Sequence, residues 1–267
     1  FILCILKAYL CNDFGSCSSK TQIELSKRNA YAELQRINMT KEKITVDIVS
    51  DVACPWCYVG KRRFEAALEK WEGTPVEVNW HPYQLDPAMG SEGIGRDTYL
   101  INKFGSADNV SEMTDRLTSA GKEVGIDFDF GEKWTAYNTL HLHQLMHVAG
   151  QEGFKAELKE RFLKAYFVDL IPLNDSEVLY GILADFGWSS TKVDAVINNQ
   201  EIAQGIQAEI AQFQKMGVSG VPFFIINSKY GISGAQPTEA FLEALTQVDA
   251  MPAVSEGDSC TPGGGCC

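Results

Sequence analysis

Two cysteines separated by two residues, Cys54 and Cys57, are the side chains of this chain best suited to covalent chemistry. Two thiols about one helical turn apart can close to a disulfide and reopen by exchange with another thiol. Upstream, Ile44–Val49 reads as a strand. Downstream, a helix is expected, with Ala66 and Ala67 as strong helix formers and Val59, Phe64, Leu68 and Trp71 as its buried face. A helix N-terminus presents unpaired N–H groups and the positive end of aligned peptide dipoles, which stabilise a thiolate at Cys54. Pro55 suits an opening helical position, where a missing N–H costs nothing. Cys54 is therefore expected to attack and exchange, and the better-shielded Cys57 to resolve. A structural disulfide and half of a zinc site are the other uses of such a pair. A zinc site needs further ligands at suitable spacing, and the chain has no second Cys-x-x-Cys.

The elements that must position this pair follow from periodicity. After the first helix, Gly73-Thr74-Pro75 makes a turn, and Val76–Trp80 alternates as a second strand. Pro82 and Pro87 lead out of it into a Gly-rich loop over Met89–Gly95, which lacks a phosphate-binding pattern. From about 97 to 217 the chain reads as helical, with no strand candidate. Expected helices cover Val110–Val124, Asn138–Ala149 and Lys155–Val168, then one capped by Ser176, one opened by Ser190 or Thr191, and one carrying Ile202, Ile206, Ile210 and Phe213. Phe162, Tyr166 and Phe167 read as packing core. Strands return at Val221–Asn227 and Tyr230–Ser233, joined by a tight turn at Ser228-Lys229, and an amphipathic helix with Phe241, Leu242, Leu245 and Val248 closes the fold.

Composition narrows the classes. The 267 residues are 45% hydrophobic and 22% charged, which suits a globular chain with a sizeable core. A net charge of −12 disfavours nucleic acid and anionic membrane surfaces as partners, and no apolar run reaches transmembrane length. The eight cysteines cluster at Cys4, Cys11 and Cys17, at Cys54 and Cys57, and at Cys260, Cys266 and Cys267. None lies between Leu68 and Ser259, so this is not a disulfide-stapled secreted fold, and a cytoplasmic location is expected. Residues 1–38 read as a non-core extension, from an upstream reading frame or a truncated export or anchor sequence, with Met39 as a natural start.

Gly220-Val221-Pro222 heads the third strand. With Ser50-Asp51-Val52-Ala53-Cys54-Pro55-Trp56-Cys57, Pro82-Tyr83-Gln84-Leu85-Asp86-Pro87, Asn138-Thr139 with His143 and Leu145, and Tyr230–Gln236, it carries a resemblance. The chain resembles the DsbA-type thioredoxin superfamily, and within it the FrnE-like dithiol-disulfide oxidoreductases. That resemblance implies an α/β thioredoxin fold over 39–250 with a large all-helical insertion at about 97–217, followed by a Cys/Gly-rich tail over 251–267. It implies a cis bond before Pro222, with the Val221 backbone beside Cys54 as a place for a substrate strand to pair. Pro55, Trp56, Val221, Pro222, Asn138 and His143 become candidate substrate-contacting residues. The expected partners are protein or small-molecule disulfides and thiols, glutathione among them, with no cofactor and no metal.

Some positions leave alternatives open. The family pattern has a basic residue where this chain has Gln144, which puts a charge-based role there in doubt. Cys260 and Cys266, with five residues between them, are candidates for a second redox pair, a labile metal site or a thiol relay. His143 and His147 lie four apart, which is metal-ligand spacing, but two histidines do not make a site. A polar helix face or a satisfied core histidine is the expected reading. Asp47 and Asp51 could accept a proton from Cys57, though solvated loop carboxylates are expected. Two other functions share the scaffold or the thiols. One is a glutathione-dependent isomerase or transferase of the kappa and hydroxychromene-carboxylate type, which usually has Ser where Cys54 stands. The other is a non-enzymatic, thiol-rich metal-binding protein.

Overall fold

The computed structural model describes residues 43–251. The expectations placed on 1–38 and on Cys260 and Cys266 lie outside the described residues.

Strand β1 (Ile44–Ser50) is flanked on both sides. It pairs in parallel with β2 (Val76–Pro82), from Ile44 opposite Val76 to Ser50 opposite Pro82. On its other side it runs antiparallel to β5 (Phe223–Ile226), which pairs with β6 (Tyr230–Ser233), giving the order β2-β1-β5-β6. The period-2 alternation of β1 sends Ile44, Val46 and Ile48 to one face. There they meet Phe64 and Ala67 of helix α1 (Pro55–Glu69), Phe224, and Phe241 and Leu245 of helix α9 (Thr238–Asp249). Phe64, Phe224 and Phe241 form a ring triad with centroids 4.6–5.5 Å apart. Val49 points the opposite way, into a small cluster with Tyr83, Phe213, Val218 and Ile225. The β5–β6 turn is centred on Asn227 and Ser228, with φ of 49° and 54°, and Lys229 N donates to Ile226 O at 3.0 Å. It sits one residue earlier than expected, because Asn tolerates the left-handed conformation such a turn demands.

Between β2 and β5 run helices α2 (Arg96–Phe104), α3 (Ala107–Glu123), α4 (Leu140–Gln151), α5 (Lys155–Phe167), α6 (Ser176–Ala184), α7 (Ser190–Ile197) and α8 (Gln200–Lys215). Their stripes meet in one core through Leu142, Leu145, Leu158, Phe162, Phe167, Leu183 and Val193. Val52, Tyr58 and Val59 from the dithiol segment join that same core, so the insertion packs directly onto the start of α1.

Two details depart from expectation. The segment is not free of strand: β4 (Thr135–Ala136) pairs antiparallel with β3 (Ile94–Gly95), a bridge too short to leave an alternating signal. Helix α6 is capped by Asp175, whose carboxylate accepts from Glu177 N at 2.9 Å, and Ser176 is its first residue. Helix α7 opens at Ser190 as expected, with Ser189 as its cap. Gln144 is buried, and its Nε2 lies 3.1 Å from the carbonyls of Val196, Ile197 and Asn199. An amide there satisfies the exposed carbonyl end of α7, a task an amide dipole performs without burying a charge.

Candidate active site

Cys54 is the N-cap of α1, in an extended conformation, and Pro55 follows at the first helical turn. Cys57 N donates to Cys54 O at 3.0 Å, closing the turn that brings the two thiols together. Both cysteines are free thiols and both are buried, Cys54 at 4% exposure and Cys57 at 1%. Pro55 and Trp56 are half-buried. The Val221–Pro222 peptide is cis, and Cys54 Sγ lies 3.5 Å from Val221 O. Helix α1 passes close beneath this loop. A β-carbon on Gly60 would come within 3.0 Å of Pro222 Cγ and 3.4 Å of Ala235 Cβ, so the bare α-carbon gives the closest fit of the helix to this loop.

The carboxylate of Asp51 lies buried beside the dithiol turn, with 1% exposure. It accepts from Leu85 N at 2.8 Å, from Ala53 N at 3.3 Å and from His143 Nε2 at 3.3 Å. Burial alone would raise its pKa, but the hydrogen bond and charge of His143 outweigh that and hold the carboxyl below its usual value. The expectation of a solvated loop carboxylate fails here, because the insertion covers the turn. Asp47 is not solvated either: it accepts from Asn79 Nδ2 at 3.1 Å and lies 3.1 Å from His81 Nε2.

Of the residues expected to line the cleft, His143 is 3% exposed and spends its ring on Asp51. Asn138 accepts from Gln84 Nε2 and Leu140 N, both at 2.9 Å, and donates to Pro87 O at 3.1 Å and Met89 O at 3.0 Å. These two side chains hold the dithiol turn and the Leu85–Met89 loop together, and their hydrogen bonds go to neither sulfur. His141 bonds Leu173 O at 2.9 Å and His147 lies 3.2 Å from Gln151 Nε2, so the three helical histidines point to separate partners.

Two groups on α5 escaped the sequence reading. Glu160 accepts from Tyr58 Oη at 2.7 Å and Lys61 Nζ at 2.6 Å, and also pairs with Arg62, clamping α5 to α1. Lys159 is 1% exposed, and its Nζ sits 4.9 Å from the Trp80 ring centroid. Burial pushes its pKa down to about 8, while the charges of Cys57 and Asp51 pull it up. The sequence did hold a signal: Lys159 stands beside Leu158 and shares a helical stripe with Phe162, Leu163 and Tyr166.

The titrations of the two neighbouring buried thiols are linked. Burial raises both. At Cys57 it is outweighed by the Cys54 thiol, the Ser50 side chain and the charge of Lys159, and its pKa falls below the ordinary value. At Cys54 nothing comparable offsets burial, and the neighbouring Cys57 and Asp51 push it further up.

Sequence and fold comparisons agree with this geometry. The pattern of the DSBA-like thioredoxin domain matches residues 45–246. The probable DsbA oxidoreductase SCO1869 of Streptomyces coelicolor is similar with a TM-score of 0.74 and 33% identity, covering 83% of this chain and 97% of that one. The cytosolic disulfide reductase DsbM of Pseudomonas aeruginosa shares the fold at a TM-score of 0.55 and 17% identity, over 76% of this chain and 98% of its own. The uncharacterized protein YwbO of Bacillus subtilis is 21% identical over 205 residues, 76% of this chain and 96% of that protein. With a dithiol at a helix start, a cis-proline loop facing it and a helical insertion above, the chain belongs to the DsbA-like thioredoxin family.

Proposed function

We propose that the protein is a thiol–disulfide oxidoreductase of the FrnE-like kind, working through Cys54-Pro55-Trp56-Cys57 and a mixed disulfide. The observation that carries this reading is the placement of Cys54 Sγ at the N-cap of α1, 3.5 Å from the Val221 carbonyl. A substrate strand laid along that carbonyl brings its own sulfur to Cys54. In the oxidising direction a substrate thiolate attacks Cys54 Sγ and expels Cys57 as the thiolate, the form its surroundings favour. A second substrate thiolate then releases Cys54. In the reducing direction Cys54 attacks the substrate disulfide, and Cys57 displaces the substrate thiol from Cys54. Pro55, Trp56, Val221 and Pro222 shape the contact surface, while Asn138 and His143 hold it from behind.

Protein disulfides and small thiols such as glutathione are the proposed partners, and the cysteine distribution supports a cytoplasmic site of action. No helix among the described residues is long and apolar enough to cross a membrane. The test is an equilibration in glutathione buffers with the thiols read by alkylation mass shift. The wild type is expected to show a reversible two-electron couple, Cys54→Ser none, and Cys57→Ser a trapped mixed disulfide. A pair that stays reduced and inert in every buffer would sink the reading.

A further inference from the structure

We propose that His81 is an imidazolium bound at both ring nitrogens, clamping helix α8 onto β1 and β2. The clamp seats the loop that presents the Val221 carbonyl, and losing the proton loosens that loop. The clamp stands on its own geometry, while its consequence for exchange rests on the reading of the dithiol given above.

Strand register brings the clamp together. Asp47 of β1 lies opposite Asn79 of β2, and Val49 lies opposite His81. Residues two apart share a face of a strand, so these four side chains point to one side of the sheet. There Val49 meets Phe213 of α8. Glu209 stands four residues before Phe213, on the same face of that helix. His81 sits between the two. Its Nδ1 is 2.7 Å from Glu209 Oε1, and its ring centroid is 4.7 Å from that of Phe213. On the other edge of the ring, Nε2 is 3.1 Å from Asp47 Oδ1.

A neutral imidazole has one N–H, and an ionised carboxylate has only lone pairs to offer. Carboxylates on both nitrogens therefore require both to carry protons. Burial alone would lower the pKa of His81, but its bonds to Glu209 and Asp47 outweigh that and raise it. The other titratable groups on this side come from α4 and α5. His143, Lys155 and Lys159 line a small cavity together with His81. His143 is committed to Asp51, Lys155 to the Trp80 carbonyl and Lys159 to the Trp80 ring. Burial raises the Glu209 carboxyl, and His81, followed by Lys155 and His147, outweighs it and holds it below its usual value.

Helix α8 runs directly into the loop before Pro222. Phe213 O accepts from Val218 N at 3.0 Å. Phe213, Val218, Ile225 and Val49 form one cluster, and Val221 packs against it. Val221 O is the carbonyl 3.5 Å from Cys54 Sγ. When His81 loses its proton, one carboxylate faces a bare nitrogen lone pair, and the helix end that seats this loop loses a tie. The folded pKa is raised, so the clamp is complete below the pKa of an unfolded histidine and is lost as pH rises through the folded value. His81 touches no reacting atom. It is a positioning residue.

The first experiment needs only the wild type. NMR titration of its four histidine rings should show both His81 nitrogens protonated at pH 7, with a midpoint above that of a free histidine. A His81 ring carrying one proton at pH 7 overturns the proposal. Glu209→Gln should move the midpoint down by about one pH unit. Glu201→Gln, the same charge loss in the exposed first turn of α8, should leave it within a few tenths. Equal movement in both variants overturns the clamp. Exchange with a peptide disulfide tests the consequence. Below the midpoint His81→Gln should raise KM about fivefold, the weight of one hydrogen bond, and the ratio to wild type should fall to about one above it. The ratio cancels the titration of the thiols themselves. A ratio that stays constant with pH overturns the link to the loop. If His81 titrates as described but the wild type shows no redox couple, the dithiol reading fails, and the consequence for exchange with it, while the clamp stands.

Discussion

In the sheet half of the molecule, the groups around the sulfurs are backbone or short side chains: the Val221 carbonyl, the Pro222 ring, and Gly60 with no side chain. In the helical half the groups that meet the dithiol turn and the start of α1 are long and ionisable: His143 on α4, which holds Asp51, and Glu160 on α5, which holds Tyr58, Lys61 and Arg62. The sheet half fixes where a sulfur can be approached, and the helical half buries the carboxylate beside the dithiol turn. A thioredoxin sheet alone would leave Asp51 at a solvent-facing turn. The insertion buries it and supplies His143 as its partner.

If the two halves truly share one structure, a core substitution in either should be felt in both. Phe224→Ala, in the aromatic triad of the sheet, and Phe162→Ala, in the insertion, remove side chains with 0% exposure. Each should cost about 3–5 kcal/mol. Thermal unfolding should remain a single transition in both variants, because Val52, Tyr58 and Val59 tie α1 into the insertion core. Two separated transitions would break the comparison into independent parts.

The acid limb of stability sharpens it. Asp51 has a folded pKa below its unfolded value. The unfolded chain therefore binds more protons in that interval, and the stabilisation, fully present above the unfolded value, is lost as pH falls through the folded one. Asp51→Asn should lower stability at neutral pH by about 1–3 kcal/mol by leaving His143 without its anion. It should also flatten the decline below about pH 4. Denaturant melts at pH 3 and pH 7 read both effects, and parallel curves for variant and wild type would contradict the assignment.

The smallest effect belongs wholly to the insertion. Gln144→Ala should cost about 1 kcal/mol, since it leaves carbonyls at the end of α7 without a donor. It should not move the dithiol equilibrium measured in glutathione. A shift there would mean that α4 transmits more to the site than His143 alone.

The parts of the site that sequence alone reveals are those governed by local rules. Cys54, Cys57 and Pro55 obey helix-start chemistry, and Pro222 stands at the head of a strand, where its missing N–H is tolerated. The helical stripes around Leu142, Phe162 and Ile206 follow from a 3.6-residue period, and all three residues are buried. What local rules miss is burial imposed from far along the chain. Asp51 and Leu85 are 34 residues apart, and Asp51 and His143 are 92 apart, so no window around Asp51 discloses its partners. The β3–β4 bridge was hidden for the opposite reason, being two residues on each side.

The bare α-carbon of Gly60 has a consequence for how this chain can vary through time. Every codon change that replaces glycine adds at least one carbon where the Pro222 ring leaves 3.0 Å. A helix interior would ordinarily welcome alanine there by about 1 kcal/mol. That gain in helix propensity is set against the close fit of α1 to the Pro222 ring. An alanine there has to displace the Pro222 ring by a few tenths of an ångström, so this position trades helix propensity against the placement of the cis-proline loop.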